Sequence, residues 1–416
     1  MPTNSVRDAA FDILIVGTGQ AAAQAAISLR QEGFAGSIGM VGEEPDLPYE
    51  RPPLSKEYLA GNKPAERLLL RPAAFWVERQ IAILPNTCII KVDPERRFAS
   101  AQDGRTFGFQ TLVWAAGGHA RRLACPGHEL AGVHVIRSRA DDDALVADLA
   151  GATRIAVIGG GYVGLEAAAV LAEKGKSVTV IEAMPRLLAR VAAAPVSEHY
   201  RAVHAAKGVT ILLDSQVEAL EGEGRVSAVR LANGERIETD LVIAGIGLVP
   251  SIGPLAEAAA AVQNGILVDS HSQTSLPGIY AIGDCAAHPN RFAAGTTVRL
   301  ESVQNAVDMA KAAAAHIVHG EAAKPYDACP WFWSNQYDLK LQTVGLSSGH
   351  DETVVRGDPD TGSWSLVYLR AGQVIALDCI SAPRDYVQGK ALVQRGARIS
   401  PALLADATVP LKLMEG

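Results

Sequence analysis

The first pattern along the chain is a short apolar run that ends in glycines and leads into a helical stretch. Asp12–Val16 is a predicted strand, Gly17 begins a glycine turn, and a helix is expected from there to about Arg30. A second apolar run, Ser37–Val41, follows. Apolar strands that alternate with helices are typical of a parallel sheet covered by helices. We therefore predict a βαβ unit at the start of the chain.

The same pattern returns in the middle of the chain. Arg154–Ile158 is a predicted strand, Gly159–Gly164 a glycine turn, Leu165–Gly175 a helix and Ser177–Ile181 a second strand. A duplicated βαβ unit indicates two Rossmann-like dinucleotide-binding domains rather than one. Further apolar strands are predicted at Leu112–Ala116, Leu241–Gly247 and Ile279–Asp284.

The pattern changes from about Cys329 onward, where short strand-like runs are separated by turn residues. These runs predict a small antiparallel sheet, with a helix near Arg384–Arg395. The predicted strands are Lys340–Gly345, Thr353–Arg356, Trp364–Arg370 and Gln373–Cys379. We therefore predict an α/β fold with two nucleotide domains and a small α+β C-terminal domain. The expected boundaries are 1–119 together with 251–328, then 120–250, then 329–416.

Composition narrows the function classes. The chain has 416 residues, of which 48% are hydrophobic and 20% charged, and its net charge is −7 at pH 7. These values describe a globular protein of two or three domains. Nucleic-acid binding is not expected, because it depends on an excess of Lys and Arg. The five cysteines are scattered without metal-ligand spacing, so no metal site is expected and they are expected to be buried thiols in a reducing compartment.

No targeting or membrane-spanning segment is expected. The chain runs almost directly from Met1 into the first strand, which leaves no room for a signal peptide. The apolar stretch Ile155–Leu171 contains several glycines and Glu166, so it predicts a strand, a turn and a helix rather than a membrane span. A cytoplasmic location is the expectation.

The two glycine turns carry the first chemical signal. A dinucleotide-binding turn needs glycine for its sharp bend, a second glycine where the backbone approaches the pyrophosphate, and a small third residue where helix and strand pack closely. The matching positions are Gly17, Gly19 and Ala22 in the first turn, and Gly159, Gly161 and Gly164 in the second. Each turn precedes a helix, whose N-terminal amides attract phosphate.

An acidic residue follows each turn at the end of the next strand, namely Glu43 and Glu182. A carboxylate at that point accepts hydrogen bonds from ribose hydroxyls and repels the 2′-phosphate of NADPH. Glu182 therefore favours NADH. Arg186 and Arg190 lie close behind it and are the alternative, because either could receive a 2′-phosphate.

Asp284 follows the apolar strand that begins at Ile279 and stands beside Gly283. This position suits a carboxylate that accepts hydrogen bonds from the hydroxyls of a flavin cofactor. The alternative is an ordinary helix N-cap, where Asp is also favoured.

Several sequence blocks together resemble a known family. The chain is similar to the FAD-dependent NADH:ferredoxin reductases of bacterial monooxygenase and dioxygenase systems, of the putidaredoxin reductase type. The resemblance covers essentially the whole chain and implies a glutathione reductase-like fold with a C-terminal interface domain. The blocks that carry it are Val16–Gly19, Pro52–Lys56, Val157–Tyr162, Ala244–Gly247, Ala281–Cys285, Glu301–Asn305 and Trp331–Tyr337.

The resemblance implies a role for individual residues. Lys56, paired with Glu166, would stand beside the flavin ring, and Trp333 would lie near the flavin on a path for leaving electrons. These three are the candidate catalytic residues; without the resemblance, Lys56 would be interpreted as a surface lysine and Trp333 as a core residue. The remaining cofactor-binding residues that it implies are Ala21, Glu43, Arg51, Ile89, Arg137, Gly247 and Val303.

The implied reaction transfers two electrons from NADH to FAD and then one electron at a time to a 2Fe–2S ferredoxin. That ferredoxin would feed a cytochrome monooxygenase or a ring-hydroxylating dioxygenase. Such ferredoxins are usually acidic, so a basic surface is expected to attract them. The candidates for that surface are Arg71, Arg299, Lys311 and Lys340. A monomer or a homodimer is expected.

Three alternatives remain at this point. A disulfide reductase or peroxide-reducing NADH oxidase needs a redox-active cysteine near the flavin, and none occurs between Met1 and Thr87. A rubredoxin reductase differs only in its partner. A redox-sensing flavoprotein would bind NADH without a dedicated electron acceptor.

Overall fold

The computed structural model describes residues 9–414, and these form two compact units. The first unit runs up to Glu50 and includes Glu66–His119 and Pro250–Pro330. The second contains Arg51–Ala65, Ala120–Val249 and the chain from Trp331 onward. Short strands, Gly118–Ala120 and Leu248–Pro250, stand where the chain passes between the units. The ends of the predicted first and last domains, residues 1–8 and 415–416, lie outside the described residues.

The first unit is built on a mixed sheet. In spatial order its strands are Ile81–Leu84, Ile38–Val41, Ala9–Val16, Thr106–Trp114, Phe98–Ala101 and Ile89–Asp93, with Ile279–Ala281 also paired to Thr106–Trp114. The pairs around Ala9–Val16 are parallel, and Phe98–Ala101 pairs antiparallel with both its neighbours. Every residue of Ile38–Val41 is buried, as expected for a parallel strand covered on both faces.

Alanine-rich helices cover this sheet. The helix Gln20–Gln31 packs against Val303–His319, and Ala22, Ala26 and Ala310 are fully buried. Side chains as small as alanine allow the two helix backbones to approach closely. The other helices of this unit are Ala73–Glu78 and Gly253–Glu257, and a small sheet contains Ile266–Leu267, Ala286–Pro289 and Thr297–Arg299.

The second unit contains a parallel sheet with the order Thr210–Leu212, Ser177–Ile181, Arg154–Ile158, Leu241–Ala244 and Val133–His134. The predicted strands Arg154–Ile158 and Ser177–Ile181 have the predicted bounds. The helices of this part of the unit are Arg139–Leu149, Tyr162–Glu173 and Ala194–Ala206. A separate antiparallel sheet contains Val217–Glu221, Ala228–Leu231 and Arg236–Glu238.

The C-terminal part of this unit is an antiparallel sheet with the order Trp331–Gln336, Leu339–Gly345, Gln373–Ile380, Ser363–Arg370 and Glu352–Asp358. The helices Pro383–Arg395 and Pro401–Ala405 follow it. Sequence patterns missed the first strand, Trp331–Gln336. The predicted α/β class with a small α+β C-terminal part is confirmed.

Arg356 holds this C-terminal part together. Its side chain is 2% exposed, and its guanidinium pairs with Asp385 at 3.0 Å and donates to the carbonyl oxygens of Leu404, Asp406 and Val409. Burial of an arginine is favourable only when its donors find acceptors, and here they do. No helix among the described residues is long and apolar enough to cross a membrane.

Asp142 is an unusual residue in the core of the second unit. It belongs to the buried face of the helix Arg139–Leu149, together with Leu145 and Leu149, and neither carboxylate oxygen has a hydrogen-bond partner. Burial, with the neighbouring Asp143 and Asp141, raises the pKa of Asp142 to about 7. Folding therefore takes up a proton at this residue between the ordinary carboxyl pKa and about 7, so the folded state loses stability as the pH rises through that window.

We expect Asp142→Asn to raise the melting temperature at pH 8, because it removes a buried ionisation, and to have little effect at pH 5, where Asp142 is neutral. The expected gain at pH 8 is ~1–2 kcal/mol. The matched control is Asp141→Asn, which makes the same charge change but disturbs the capping box with Ser138. It should gain nothing at pH 8. An equal shift for Asp142→Asn at both pH values would contradict the prediction.

Candidate functional site

The first glycine turn has a closed side and an open side. Gly17 has φ +120°, and a Cβ there would lie 2.3 Å from the carbonyl oxygen of Ala115. Gly19 is the N-cap of the helix Gln20–Gln31, and a Cβ there would meet no atom within 4 Å. Ala22 is fully buried, so the third position requires a small residue, and alanine meets that requirement. Glycine at 17 is thus required by the fold, whereas glycine at 19 leaves room in front of the helix.

The second turn repeats this arrangement. Gly159 has φ +106° and a Cβ there would lie 2.4 Å from the oxygen of Gly245, while a Cβ on Gly164 would lie 2.2 Å from the oxygen of Gly159. Gly161 is the N-cap of the helix Tyr162–Glu173, and the space around its Cβ position is open. Gly247 has φ +105° and also faces open space.

The acidic residues lie where each strand ends. Glu182 is held against the second turn, because Oε2 accepts the backbone N–H of Gly160 at 2.6 Å and Oε1 accepts that of Met184 at 2.8 Å. Glu43 is exposed, just after the strand Ile38–Val41, and its charge contributes with burial to a raised pKa of the Cys88 thiol.

The two arginines behind Glu182 differ. Arg186 donates to the carbonyl oxygens of Ala189 and Ala192 and to Ser197 Oγ, so its guanidinium is already engaged within the loop. Arg190 is exposed. The carboxylate of Glu182 is therefore fixed at the turn, and the guanidinium of Arg186 is bonded within its own part of the chain.

Each unit thus contains a cradle that fits one dinucleotide. In both, backbone amides at a helix N-terminus face open space that a single Cβ would enter, and a carboxylate stands at the end of the following strand. Helix N-termini attract phosphate groups through their unpaired N–H groups and the helix dipole. The residues present fit the pyrophosphates of FAD and NADH.

Asp284 lies beside the first cradle. It is inside the short turn Gly283–Cys285, whose N-cap is Ile282, so the N-cap alternative does not describe it. A Cβ on Gly283 would lie 3.0 Å from that of Ala21, so the first helix and the Asp284 turn are in close contact. Val303 begins the helix Val303–His319, in the first turn where backbone N–H groups have no intrahelical acceptor. Ile89 is buried and is the first residue of the strand Ile89–Asp93.

Lys56 and Glu166 form a buried ion pair in the second unit. The distance from Lys56 Nζ to Glu166 Oε2 is 2.7 Å, and the two side chains are 11% and 4% exposed. Ser55 Oγ donates to the same carboxylate oxygen at 2.5 Å, and Ser334 Oγ donates to Oε1 at 2.6 Å. Lys56 is therefore not a freely solvated surface lysine. The sequence offered no signal for Ser55 or Ser334 as partners of Glu166.

The other predicted residues of the second unit are also placed. Arg51 Nη1 donates to the carbonyl oxygen of Arg137 at 2.7 Å, so these two candidates lie together. Trp333 is half-buried in the strand Trp331–Gln336, and its ring centroid lies 5.6 Å from that of Trp331. It is not a core tryptophan.

The cysteines offer little to thiol chemistry. Cys285 is fully buried, its S–H donates to the carbonyl oxygen of Ile282 at 3.3 Å, and burial raises its pKa to about 12. Thiolates are the reactive form, so Cys285 is a poor nucleophile at neutral pH. None of the five cysteines forms a disulfide among the described residues. Cys285, Cys329 and Cys379 are buried as expected, whereas Cys88 and Cys125 are half-buried, so the expectation of buried thiols is wrong for those two.

One candidate for the basic surface is corrected by the structure. Arg299 has a side chain that is only 9% exposed, and it bonds to Glu301 and to the carbonyl oxygen of Asp284. It supports the Asp284 turn and does not offer a free cation. Lys311 is 57% exposed on the helix Val303–His319, where its Nζ lies 3.6 Å from Asp308 Oδ1, and Arg71 and Lys340 are exposed too.

Comparison with known proteins gives consistent matches. Residues 11–310 match the model of the pyridine nucleotide-disulphide oxidoreductases, and residues 331–414 match that of the reductase C-terminal domain. The chain is 55% identical to a ferredoxin–NAD(P)(+) reductase of Sphingomonas sp., over 97% of this chain and 98% of that protein. It is 54% identical to the 5,5′-dehydrodivanillate O-demethylase ferredoxin reductase subunit of a Sphingobium species, over 97% and 98%. Its fold matches the reductase in a covalent putidaredoxin reductase–putidaredoxin complex with a TM-score of 0.92, at 38% identity, over 96% of this chain and 97% of that one.

The second cradle leads to a paired prediction. Gly161→Ala should leave the melting temperature unchanged, because φ there is −84° and the space is open, but should weaken NADH binding by about tenfold or more, because the methyl group enters the pyrophosphate position. Gly164→Ala should instead lower stability by ~1–3 kcal/mol, since its methyl group would collide with Gly159. Thermal melting and titration with NADH distinguish the two effects. Wild-type NADH affinity in Gly161→Ala would show that the cradle is not the binding site.

Proposed function

We propose, from the premise that this chain belongs to the pyridine nucleotide-disulphide oxidoreductase family, that it is an FAD-dependent reductase that passes electrons from NADH to a 2Fe–2S ferredoxin. The observation that carries the proposal is the pair of glycine cradles, one in each unit, each open in front of its helix and each followed by a carboxylate. One chain can thereby hold a hydride donor and a separate electron carrier.

The proposed binding residues divide between the two cofactors. Those for NADH are Gly159, Gly161, Gly164, Glu182 and Gly247. Those for FAD are Gly17, Gly19, Ala21, Ala22, Glu43, Arg51, Lys56, Ile89, Arg137, Asp284, Val303 and Trp333. The proposed FAD domain is 1–119 with 251–328, the NADH domain 120–250 and the interface domain 329–416.

Bound FAD supplies the two-electron to one-electron conversion that links a hydride donor to a ferredoxin. The protein contributes position and charge. Lys56 is held by Glu166 and presents a fixed positive charge, which is suited to stabilise negative charge that develops nearby. Trp333, half-buried on its strand, is the proposed route by which electrons leave.

The partner and setting are proposed from the relatives. The proposed acceptor is an acidic 2Fe–2S ferredoxin that feeds a cytochrome monooxygenase or a ring-hydroxylating dioxygenase, and the proposed location is the cytoplasm, as a monomer or homodimer. Two relatives support this proposal by name, one as the reductase subunit of an O-demethylase and one in complex with putidaredoxin. The inert state of Cys285 argues against the disulfide reductase alternative.

The proposal is tested by stopped-flow reduction of the purified, FAD-loaded protein. We expect a yellow protein that is reduced rapidly by NADH, more slowly by NADPH because of the fixed Glu182 carboxylate, and reoxidised by a 2Fe–2S ferredoxin. Rapid reoxidation by a disulfide or by rubredoxin, but by no ferredoxin in a panel, would assign a different acceptor. Slow reduction with no efficient acceptor would favour the redox sensor, and protein that stays colourless with FAD would end the proposal.

The basic surface yields a further prediction. Lys311→Glu should raise the KM for an acidic ferredoxin by about fivefold, because a rim charge that attracts the partner becomes repulsive. Turnover from NADH to ferricyanide should not change. Lys91→Glu is the matched control, an exposed lysine on the strand Ile89–Asp93 of the same unit. Equal loss in both assays, or an equal effect of the control, would contradict a docking role for Lys311.

A further inference from the structure

Glu166 is the centre of a polar cluster buried inside the second unit. The residue is 3% exposed, and its two carboxylate oxygens accept from different donors. Oε2 accepts from Lys56 and Ser55, whereas Oε1 accepts from Ser334. A buried carboxylate is stable only when such donors replace the water that it has lost.

The cluster continues beyond Ser334 as a chain of hydrogen bonds. Gln336 Nε2 donates to Ser334 Oγ at 3.2 Å, and His204 Nε2 lies 2.8 Å from Gln336 Oε1. On the far side of the imidazole, Tyr337 OH lies 3.1 Å from His204 Nδ1. Ser334 and His204 are fully buried and Gln336 is 1% exposed, so water does not compete for these bonds.

The chemistry of these groups fixes which partner donates and which accepts in each bond of this hydrogen-bond chain. Burial lowers the pKa of His204, so the imidazole is neutral at neutral pH and carries one N–H. Gln336 Oε1 can only accept, so the proton is on Nε2, and Nδ1 accepts from Tyr337. With its oxygen facing His204, the Gln336 amide points its NH₂ group at Ser334. The Ser334 oxygen therefore accepts from Gln336, and its single proton is directed to Glu166.

The opposite direction would change the environment of Glu166. If His204 carried its proton on Nδ1, the Gln336 amide would turn its NH₂ group to His204 and its oxygen to Ser334. Ser334 would then donate to Gln336 and present a lone pair to Glu166 Oε1. Oε1 of the carboxylate would lose its donor, and Glu166 would be held through Oε2 alone, by Lys56 and Ser55. The tautomer of a histidine two side chains away thus decides how Glu166 is held.

We propose that Ser334, Gln336 and His204 are positioning residues, which hold the Glu166 carboxylate through a one-way hydrogen-bond chain so that Oε2 stays fixed on Lys56. The chain orients and does not conduct protons, because a glutamine amide does not exchange its protons as an acid or base. The kinetic part of this proposal rests on the proposed function, in which the Lys56–Glu166 pair assists hydride transfer from NADH.

The first test compares rates of flavin reduction by NADH in the FAD-loaded full chain. Ser334→Ala should lower the rate constant by about tenfold with little change in the dissociation constant of NADH. Gln336→Met, which keeps side-chain volume without the amide, should lower it less. In the Ser334→Ala background, Gln336→Met should have no further effect, because Gln336 acts only through Ser334. Additive effects of the two substitutions would overturn the proposal.

The protein contains a matched control for these variants, at Ser365. Ser365 is also fully buried, and its Oγ donates at 3.1 Å to Asp385, a carboxylate that is itself paired with Arg356. Ser365→Ala therefore removes the same kind of bond from the same kind of ion pair, away from Glu166. It should change the rate of flavin reduction by less than about twofold. If Ser334→Ala and Ser365→Ala had equal effects, the role of Ser334 would be structural alone and the proposal would fail.

The second test does not depend on turnover. ¹⁵N NMR of the FAD-loaded full chain at neutral pH should show His204 as the neutral Nε2–H tautomer, and in Gln336→Met this single-tautomer signature should be lost. An Nδ1–H tautomer in the wild type would overturn the direction of the chain, even if NADH reduces the flavin rapidly. Wild-type protein that NADH does not reduce would instead overturn the proposed function, together with the kinetic role of the chain. If the Ser334→Ala protein does not retain FAD, both the rate of flavin reduction and the His204 tautomer are measured in Gln336→Met.

Discussion

Both nucleotide cradles depend on one constraint, the close approach of backbone to backbone where a strand ends. At Gly17 and Gly159 the neighbouring carbonyl oxygens of Ala115 and Gly245 occupy the space that a side chain would need. Because of that close approach, the N-terminus of the following helix lies next to the end of the strand that precedes it. The glycine two positions further on, Gly19 or Gly161, then leaves open space before the amides. Open space in front of helix N-terminal amides, which suits a phosphate group, is thus a consequence of how tightly the strands and helix are joined.

The second feature of the molecule is the number of polar groups that it buries with their partners. Glu166 accepts from three side chains, and Arg356 donates to a carboxylate and three carbonyl groups. Such clusters cost stability if one member is missing, so they impose one arrangement on the surrounding side chains. Asp142 is one of several exceptions among the described residues, and it is the carboxylate among them: both of its oxygens lack a partner, and burial raises its pKa to about 7.

Two charged residues near the second cradle differ in the groups that they bond. Glu182 and Arg186 are both close to the turn in sequence, and they would favour opposite nucleotides. In the folded protein two backbone N–H groups hold the carboxylate, while carbonyl groups of its own loop and Ser197 hold the guanidinium. Closeness in sequence alone could not distinguish Glu182 from Arg186, because they differ in which hydrogen-bond partners each has in the folded protein.

The sequence by itself determined the two βαβ units, their glycine turns and the acids after them, because strand periodicity and the steric needs of a turn are local properties. Arg154–Ile158 and Ser177–Ile181 were predicted with their observed bounds for that reason. Only the tertiary structure decided that Arg299 is buried, that Asp284 is not an N-cap, and that Trp331–Gln336 is a strand. It also determined the hydrogen-bond chain from His204 to Glu166. Its bonds join residues that are distant in sequence, such as His204 and Gln336, and no local pattern encodes such a contact.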